Sequence, residues 1–117
     1  MYDASTFKNF SKERIAKLFE QAVESGMTDW CISIKPFEEK KSTDTPFDFY
    51  RRMSKGFFLV DDDGKKYKVK EEDISNALEK MQDEYEEDFI SVVKREETPM
   101  LCDSFLQLCV FRQVYYS

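Results

Sequence analysis

The chain has 117 residues, a length that leaves room for one domain (1–117). Of these residues 36 % are charged, and the formal net charge of −6 disfavours a nucleic-acid-binding protein. It contains no histidine, which excludes the Ser-His and Cys-His nucleophile pairs and removes the most common metal ligand. Its three glycines are isolated, so neither glycine-rich phosphate-binding motif is present. We therefore expect that the protein is not an enzyme. We expect it to have no catalytic residues and to bind neither a metal nor a cofactor.

The first predicted element is a helix over residues 12–25, which follows a polar lead-in (1–10). Ser11 is the expected N-cap, and Gly26 suits the left-handed position just beyond a helix end. Apolar residues between them recur with the spacing of one helix face: Ile15, Leu18, Phe19, Ala22 and Val23. One side of this helix is therefore expected to be buried.

A half-buried strand is predicted next, over residues 30–35. Two sets of residues alternate along it: Trp30, Ile32 and Ile34 on one face, and Cys31, Ser33 and Lys35 on the other. Pro36 is expected to end the strand. The composition then turns polar, and residues 37–48 are predicted to form a mobile loop.

The strongest local signal is that of a β-hairpin. Two strand-like runs, 55–60 and 65–69, flank the turn sequence 61–64, whose Asp-Gly pair is typical of tight hairpin turns. In the second run Tyr67 and Val69 alternate with lysines, so one face of that strand is expected to lie in water.

Two further helices are predicted, over residues 72–86 and 99–112. Acidic residues 71–73 suit the positive end of the first helix, and Thr98 followed by Pro99 begins the second. Residues 89–93 fit either a continuation of the helix over 72–86 or a short strand. The apolar stripe of the helix over 99–112 consists of Cys102, Phe105, Leu106, Cys109 and Val110.

This order of elements predicts an α+β fold. We expect a small three-stranded antiparallel sheet, with a fourth short strand as the alternative, and helices packed on one of its faces. The apolar residues 114–116 are expected either to dock on the core or to mediate self-association in a homodimer.

The cysteines and the absence of long apolar runs favour the cytoplasm. Cys31, Cys102 and Cys109 are an odd set, which is typical of free thiols in a reducing compartment. The polar start lacks a signal-peptide pattern, and no run approaches the roughly 18 apolar residues of a membrane span. We expect buried, inert thiols and no contact with a membrane.

Several short motifs resemble those of small uncharacterised proteins of tailed bacteriophages and prophages. These are the first helix ending at Gly26, the following Asp29-Trp30-Cys31, the return strand 64–69 (GKKYKV) and the last helix with Asp103. The resemblance covers most of the chain from Ile15 onwards. It departs from the pattern at 112–113, where Arg-Gln replaces Gly-Glu, and at 117, where Ser replaces Gly. It implies a phage or prophage origin, and thus a bacterial host cell, but no particular activity.

Charge is unevenly distributed along the sequence. Residues 35–70 carry ten basic and seven acidic groups, whereas residues 71–104 carry three basic and twelve acidic groups. The densest acidic group consists of Asp83, Glu84, Glu86, Glu87 and Asp88. These residues are candidates for binding a host protein with a basic surface, in competition with a nucleic-acid backbone. The alternative is a solvated helix face.

A second candidate site would bind a small anionic molecule such as a signalling nucleotide. Its residues would be Trp30, Arg51, Arg52, Lys55 and Tyr67. Core packing is the competing interpretation of Trp30. The hairpin lysines 65, 66, 68 and 70 could contact phosphates, but we interpret them as a solubilising strand edge and expect no direct nucleic-acid binding.

Calcium binding by Asp61, Asp63 and Glu72 is disfavoured. The expected glycine of a calcium loop belongs at position six, and here it stands at position four. The sequence as a whole favours a non-enzymatic phage or prophage protein that stoichiometrically inhibits a host defence or nucleic-acid-handling protein, in the manner of an anti-CRISPR. The alternatives are a protein that sequesters a nucleotide and a phage structural or assembly accessory.

Overall fold

The structure is a computed structural model that describes residues 12–26 and 28–114. In chain order its elements are helix α1 (Lys12–Glu24), strand β1 (Cys31–Pro36), helix α2 (Asp48–Met53), strands β2 (Gly56–Asp61) and β3 (Lys66–Lys70), and helices α3 (Glu71–Glu84), α4 (Glu86–Val93) and α5 (Pro99–Phe111). The lead-in (1–10), Ser11, Tyr115, Tyr116 and Ser117 lie outside the described residues.

The three strands form one antiparallel sheet in the order β1-β2-β3. Leu59 of β2 lies opposite Ile34 and Tyr67, and Phe58 lies opposite Lys35 and Lys68. Because strand side chains alternate between faces, Leu59 points into the core, whereas Phe58 points away from it and remains 46 % exposed. Helices pack against the core side, which confirms the predicted α+β fold.

The predicted alternation of β1 is wrong at Ile32. The register with β2 shifts between Cys31 and Ser33, so Ile32 is the additional residue of an irregularity, and its side chain is 67 % exposed. Trp30 lies just before the strand and is almost fully buried. Sequence periodicity could not reveal this shift, because the shift depends on how the neighbouring strand is aligned.

The β-hairpin is confirmed, and a buried carboxylate holds its turn. The Asp61 N–H donates to the Lys65 carbonyl (2.9 Å), and Gly64 adopts the left-handed conformation at φ +81. One oxygen of the Asp61 side chain accepts the backbone N–H groups of Asp63 (3.0 Å) and Lys65 (2.8 Å), and the other accepts the Tyr67 hydroxyl (3.2 Å). Asp61 therefore has a structural role.

The helix predictions are partly confirmed. Helix α1 ends one residue earlier than predicted, and Gly26 beyond it has φ +79, as its C-terminal position requires. The helix predicted over 72–86 instead ends at Glu84, because Tyr85 leaves the helical conformation (φ −131, ψ 53). A separate helix, α4, then includes Phe89, which resolves the ambiguity of residues 89–93 in favour of helix.

Helix α5 is the centre of the fold. It begins as predicted, because the Thr98 hydroxyl accepts the Leu101 N–H (3.2 Å) and Pro99 occupies the first turn. The predicted stripe covers only part of its buried surface, which also includes Leu101, Asp103, Gln107 and Leu108. Most of α5 is buried, although Met100 near its start is 57 % exposed, and the helix packs against α1, α3 and β3.

The connection between β1 and α2 is irregular, as predicted, although α2 itself was not predicted. The Asp44 carboxylate forms an ion pair with Arg52, with 3.1 Å between a carboxylate oxygen and Nε, and Nη1 of Arg52 donates a hydrogen bond to the Glu38 carbonyl (3.1 Å). The Thr45 N–H donates to Asp48 (2.6 Å) at the start of α2, and this hydrogen bond is the main reason why the pKa of Asp48 falls to about 2. The mobility of residues 37–48 stays a prediction.

Asp103, a buried polar residue of α5, accepts two hydrogen bonds, one of them from across the core. The indole Nε1–H of Trp30 donates to one oxygen of Asp103 (2.9 Å), and the side-chain amide of Gln107, one turn further along α5, donates to the other oxygen (2.8 Å). Burial nevertheless raises the pKa of Asp103, more than these two hydrogen bonds lower it.

Stability should therefore respond to the ionisation of Asp103. Because its pKa is higher in the folded state than in the unfolded state, the Asp103 contribution is greatest at low pH and is lost as the pH rises through the folded-state pKa. Urea unfolding over a pH series should show this component in the wild type and not in Asp103→Asn. Asp103→Ala should be less stable by about 1–3 kcal/mol, because two buried donors lose an acceptor. Identical pH profiles for wild type and Asp103→Asn would contradict the argument.

Candidate functional site

The end of α3 and the start of α4 meet at Tyr85. Its N–H donates to the Met81 carbonyl (2.9 Å), and its carbonyl accepts the Phe89 N–H (3.0 Å), so it is the last hydrogen-bonded residue of one helix and the first of the next. Met81 and Phe89 are fully buried, and Tyr85 packs partly against the same core. These apolar residues anchor the junction to the core, and most of the polar side chains between them are exposed.

We call the five carboxylates at this point the acidic junction: Asp83, Glu84, Glu86, Glu87 and Asp88. The first four are exposed, and Asp88 is partly buried. Burial raises the pKa of Asp88, and the charge of Glu87 raises it further. The predicted placement of all five in one helix is wrong, because they lie on both sides of Tyr85. Asp83 and Glu84 end α3, and the other three begin α4.

One described cation approaches the acidic junction closely. Nζ of Lys80 lies 3.8 Å from a carboxylate oxygen of Glu84, and the Glu84 side chain remains 61 % exposed. Lys80 is shared, since it also donates to the carbonyl of Arg112. Such an exposed pair contributes little and leaves most of the negative charge uncompensated.

The helix dipoles divide the acidic junction into two parts. Glu86, Glu87 and Asp88 occupy the first turn of α4, where negative charge is favourable. Asp83 and Glu84 occupy the last turn of α3, where negative charge is unfavourable, and that turn contains no basic residue. Helix stability therefore accounts for three of the five carboxylates and not for Asp83 or Glu84.

The aromatic members of the alternative ligand site pack with the core. The ring centroid of Phe111 lies 5.0 Å from that of Trp30 and 5.2 Å from that of Tyr67. Trp30 is 2 % exposed. Core packing is thus the observed state of Trp30, and the indole face is not available to stack on a ligand.

The basic members of that site lie in or directly after α2, and each has a carboxylate partner. Arg51 pairs with Glu13 (2.9 Å) and Asp48 (2.7 Å), Arg52 with Asp44 (3.1 Å) and Lys55 with Glu38 (3.3 Å). These residues precede the Gly56 end of β2, whereas the Trp30 carbonyl accepts the N–H of Asp62, beyond the other end of β2. A strand of this length spans roughly 17–20 Å, so the two groups are separated.

The hairpin carboxylates lie close together, and one of them is already used by the turn. Asp61, Asp62 and Asp63 can each bring one oxygen within 4.8 Å of the others. Asp61 already accepts three hydrogen bonds that form the turn, and Glu72, the third residue considered for calcium, is not part of this group. The cluster is accounted for by the turn.

The described cysteines are all free thiols. Burial raises the pKa of Cys31 to about 11 and that of Cys102 to about 12, and raises that of Cys109 well above its usual value. Since the thiolate is the nucleophile, thiols with raised pKa values react slowly at neutral pH. The geometry agrees with the interpretation of the cysteines as packing residues.

Comparisons of the chain with protein families, curated proteins and solved structures found no match. None of the helices in residues 12–26 and 28–114 is both long enough and apolar enough to cross a membrane.

The two parts of the acidic junction should respond in opposite directions to charge reversal. Replacing Asp83 and Glu84 with Lys places positive charge at the end of α3 and should stabilise the fold, whereas replacing Glu86 and Glu87 with Lys should destabilise it. Each change should shift the free energy of unfolding by about 0.3–1 kcal/mol at low salt, and added salt should reduce both shifts. Urea unfolding of the two double variants measures this. Equal losses of stability in both would show that Asp83 and Glu84 have a structural role.

The thiols should be slow to alkylate in the native protein. With iodoacetamide at neutral pH, we expect partial labelling of the half-buried Cys31 and slower labelling of Cys102 and Cys109. Unfolding in urea should make all three label rapidly, as measured by mass spectrometry. Rapid native labelling of Cys102 or Cys109 would contradict the buried positions of these residues.

Proposed function

We propose that this chain is a non-enzymatic binding protein whose acidic junction docks on a basic surface of a partner protein. The observation that carries the proposal is the position of Asp83 and Glu84. Both lie at the end of α3 where negative charge opposes the helix dipole, and both remain exposed to solvent. Binding of a basic partner is a use that would offset this electrostatic cost.

The proposed partner is a protein that handles nucleic acid. Such proteins carry concentrated positive charge that binds phosphates, and a rigid group of carboxylates competes for the same surface. Complementary charge of this kind accelerates association and selects among partners. The packing of Tyr85 and Phe89 supports the proposal, because an anchored backbone loses little conformational freedom on binding.

The narrower form of the proposal is a phage or prophage inhibitor that acts stoichiometrically on a host defence protein in the bacterial cytoplasm. Its support is the resemblance of the return strand 64–69 and of the last helix to small phage proteins. The basic residues of the alternative nucleotide site, Arg51, Arg52 and Lys55, all have carboxylate partners, which disfavours nucleotide sequestration at that site.

The experiment begins with capture of partners from a bacterial lysate on the immobilised chain. Association of the purified partner is then measured for the wild type and for the variant in which Asp83, Glu84, Glu86 and Glu87 are replaced by Lys. We expect slower association of the variant by at least tenfold at low salt, and a smaller difference at high salt, because exposed charges are screened over about 10 Å at 0.1 M.

The matched control reverses Glu39, Asp62, Glu72 and Glu96. These residues are also exposed, and their reversal changes the net charge by the same amount. If the control variant slows association as much as the junction variant does, the effect is one of net charge and the proposal fails. Circular dichroism of both variants confirms that the fold is retained.

A further inference from the structure

The sheet has a second face, which points away from the helices. Side-chain alternation and register place four lysines on it: Lys35 of β1, and Lys66, Lys68 and Lys70 of β3. Phe58 lies in the central strand, directly between Lys35 and Lys68. We call these five residues, together with Phe37 just after β1, the lysine face.

The lysines of this face differ from the basic residues of α2. Lys35, Lys66, Lys68 and Lys70 are exposed, and none of them forms an ion pair with a carboxylate among the described residues. Arg51, by contrast, is held between Glu13 and Asp48. The ammonium groups of the lysine face are therefore available to an external anion.

Two aromatic rings lie among these lysines. The rings of Phe37 and Phe58 are 4.8 Å apart by their centroids, and Nζ of Lys68 lies 5.7 Å above the ring of Phe37. Phe37 reaches this position because Gly56 has no side chain: a Cβ at Gly56 would lie 2.5 Å from Phe37. A recess of about 460 Å³ borders Phe37, Phe58 and Lys35.

We propose that the lysine face binds single-stranded nucleic acid. Bases stack on the exposed ring of Phe58 beside Phe37, and the lysines contact the phosphates, which is the combination that proteins use to bind single strands without sequence preference. Successive lysines of β3 are about 6.6 Å apart, at two residues of about 3.3 Å each, so they form a row along which a backbone can run.

The surrounding charges limit the length of the site. Asp62 and Asp63 at the hairpin turn lie beyond Lys66, and Glu38 and Glu39 follow Phe37. These carboxylates repel phosphate at either end of the face. The expected site therefore accommodates only a few nucleotides, and its affinity should decrease steeply with salt. The overall negative charge of the chain led us to expect no direct nucleic-acid binding. Binding responds to local charge, however, and the lysine face is locally basic.

The test measures binding of a fluorescein-labelled oligothymidylate of roughly 15 nucleotides by fluorescence anisotropy, between about 50 mM and 200 mM salt. Phe58→Ala should weaken binding by about 5- to 100-fold, whereas Phe58→Tyr retains an aromatic face and should bind like the wild type. Circular dichroism and thermal unfolding confirm that both variants are folded.

The lysines are tested by a matched pair of triple variants. Replacing Lys66, Lys68 and Lys70 with Gln should weaken binding and lower the magnitude of the slope of log K against log salt by about 2. The control replaces Lys17, Lys41 and Lys94, which are also exposed and do not line the recess, and it should retain the wild-type slope. Similar losses in both triple variants would show that binding depends on net charge alone and would overturn the proposal.

Three further outcomes would also overturn it. These are no binding at about 50 mM salt, binding that Phe58→Ala leaves unchanged, and displacement of the oligonucleotide by polyglutamate at equal charge concentration, which would identify an acidic polypeptide as the preferred ligand. The residues that carry this proposal are different from those of the acidic junction. Failure here therefore leaves the proposed protein partner untouched, and the reverse also holds.

Discussion

The constraint on which the rest of the structure depends is the burial of most of α5. A helix of thirteen residues that packs against α1, α3 and β3 must find a partner for each polar side chain that it buries. Asp103 and Gln107 satisfy each other across one turn, and Asp103 also accepts the indole N–H of Trp30. This bond ties the segment before β1 to the central helix, and so ties the sheet to the helical layer.

Charged residues are divided between those that hold elements together and those that face solvent. Arg14 pairs with Glu97 at 2.6 Å, in side chains only 15 % and 4 % exposed, and also donates to the carbonyl of Val92, so α1 is joined to the end of α4. The arginines of α2 are paired in the same way. Two groups of charges differ from these pairs: the acidic junction, where Glu84 has Lys80 nearby at 3.8 Å, and the lysine face, whose ammonium groups form no ion pair with a described carboxylate. The two proposals assign a use to these two groups.

The features that the sequence predicts well are those determined by neighbouring residues. The Thr98-Pro99 cap, the left-handed Gly26 and the hairpin turn each depend on a few adjacent residues. The break at Tyr85, the shift at Ile32 and helix α2 depend on contacts between distant segments. The acidic junction was visible as a run of carboxylates, whereas the lysine face required the register that places Lys35 and Phe37 beside Phe58. Alternating lysines in β3 were its one local signal.

The net charge of this chain predicts that it repels anions, whereas the local charge of the lysine face predicts that this face attracts them. The distance over which charges are screened decides between the two. Exposed charges are screened over about 10 Å at 0.1 M salt, whereas the shortest dimension of the molecule is 24 Å. The lysine face lies on the side of the sheet that the helices do not cover, and the acidic junction belongs to the helical layer. An anion near Phe58 is therefore governed by the lysines around it. A net charge of −6 is an average over surfaces of opposite local charge.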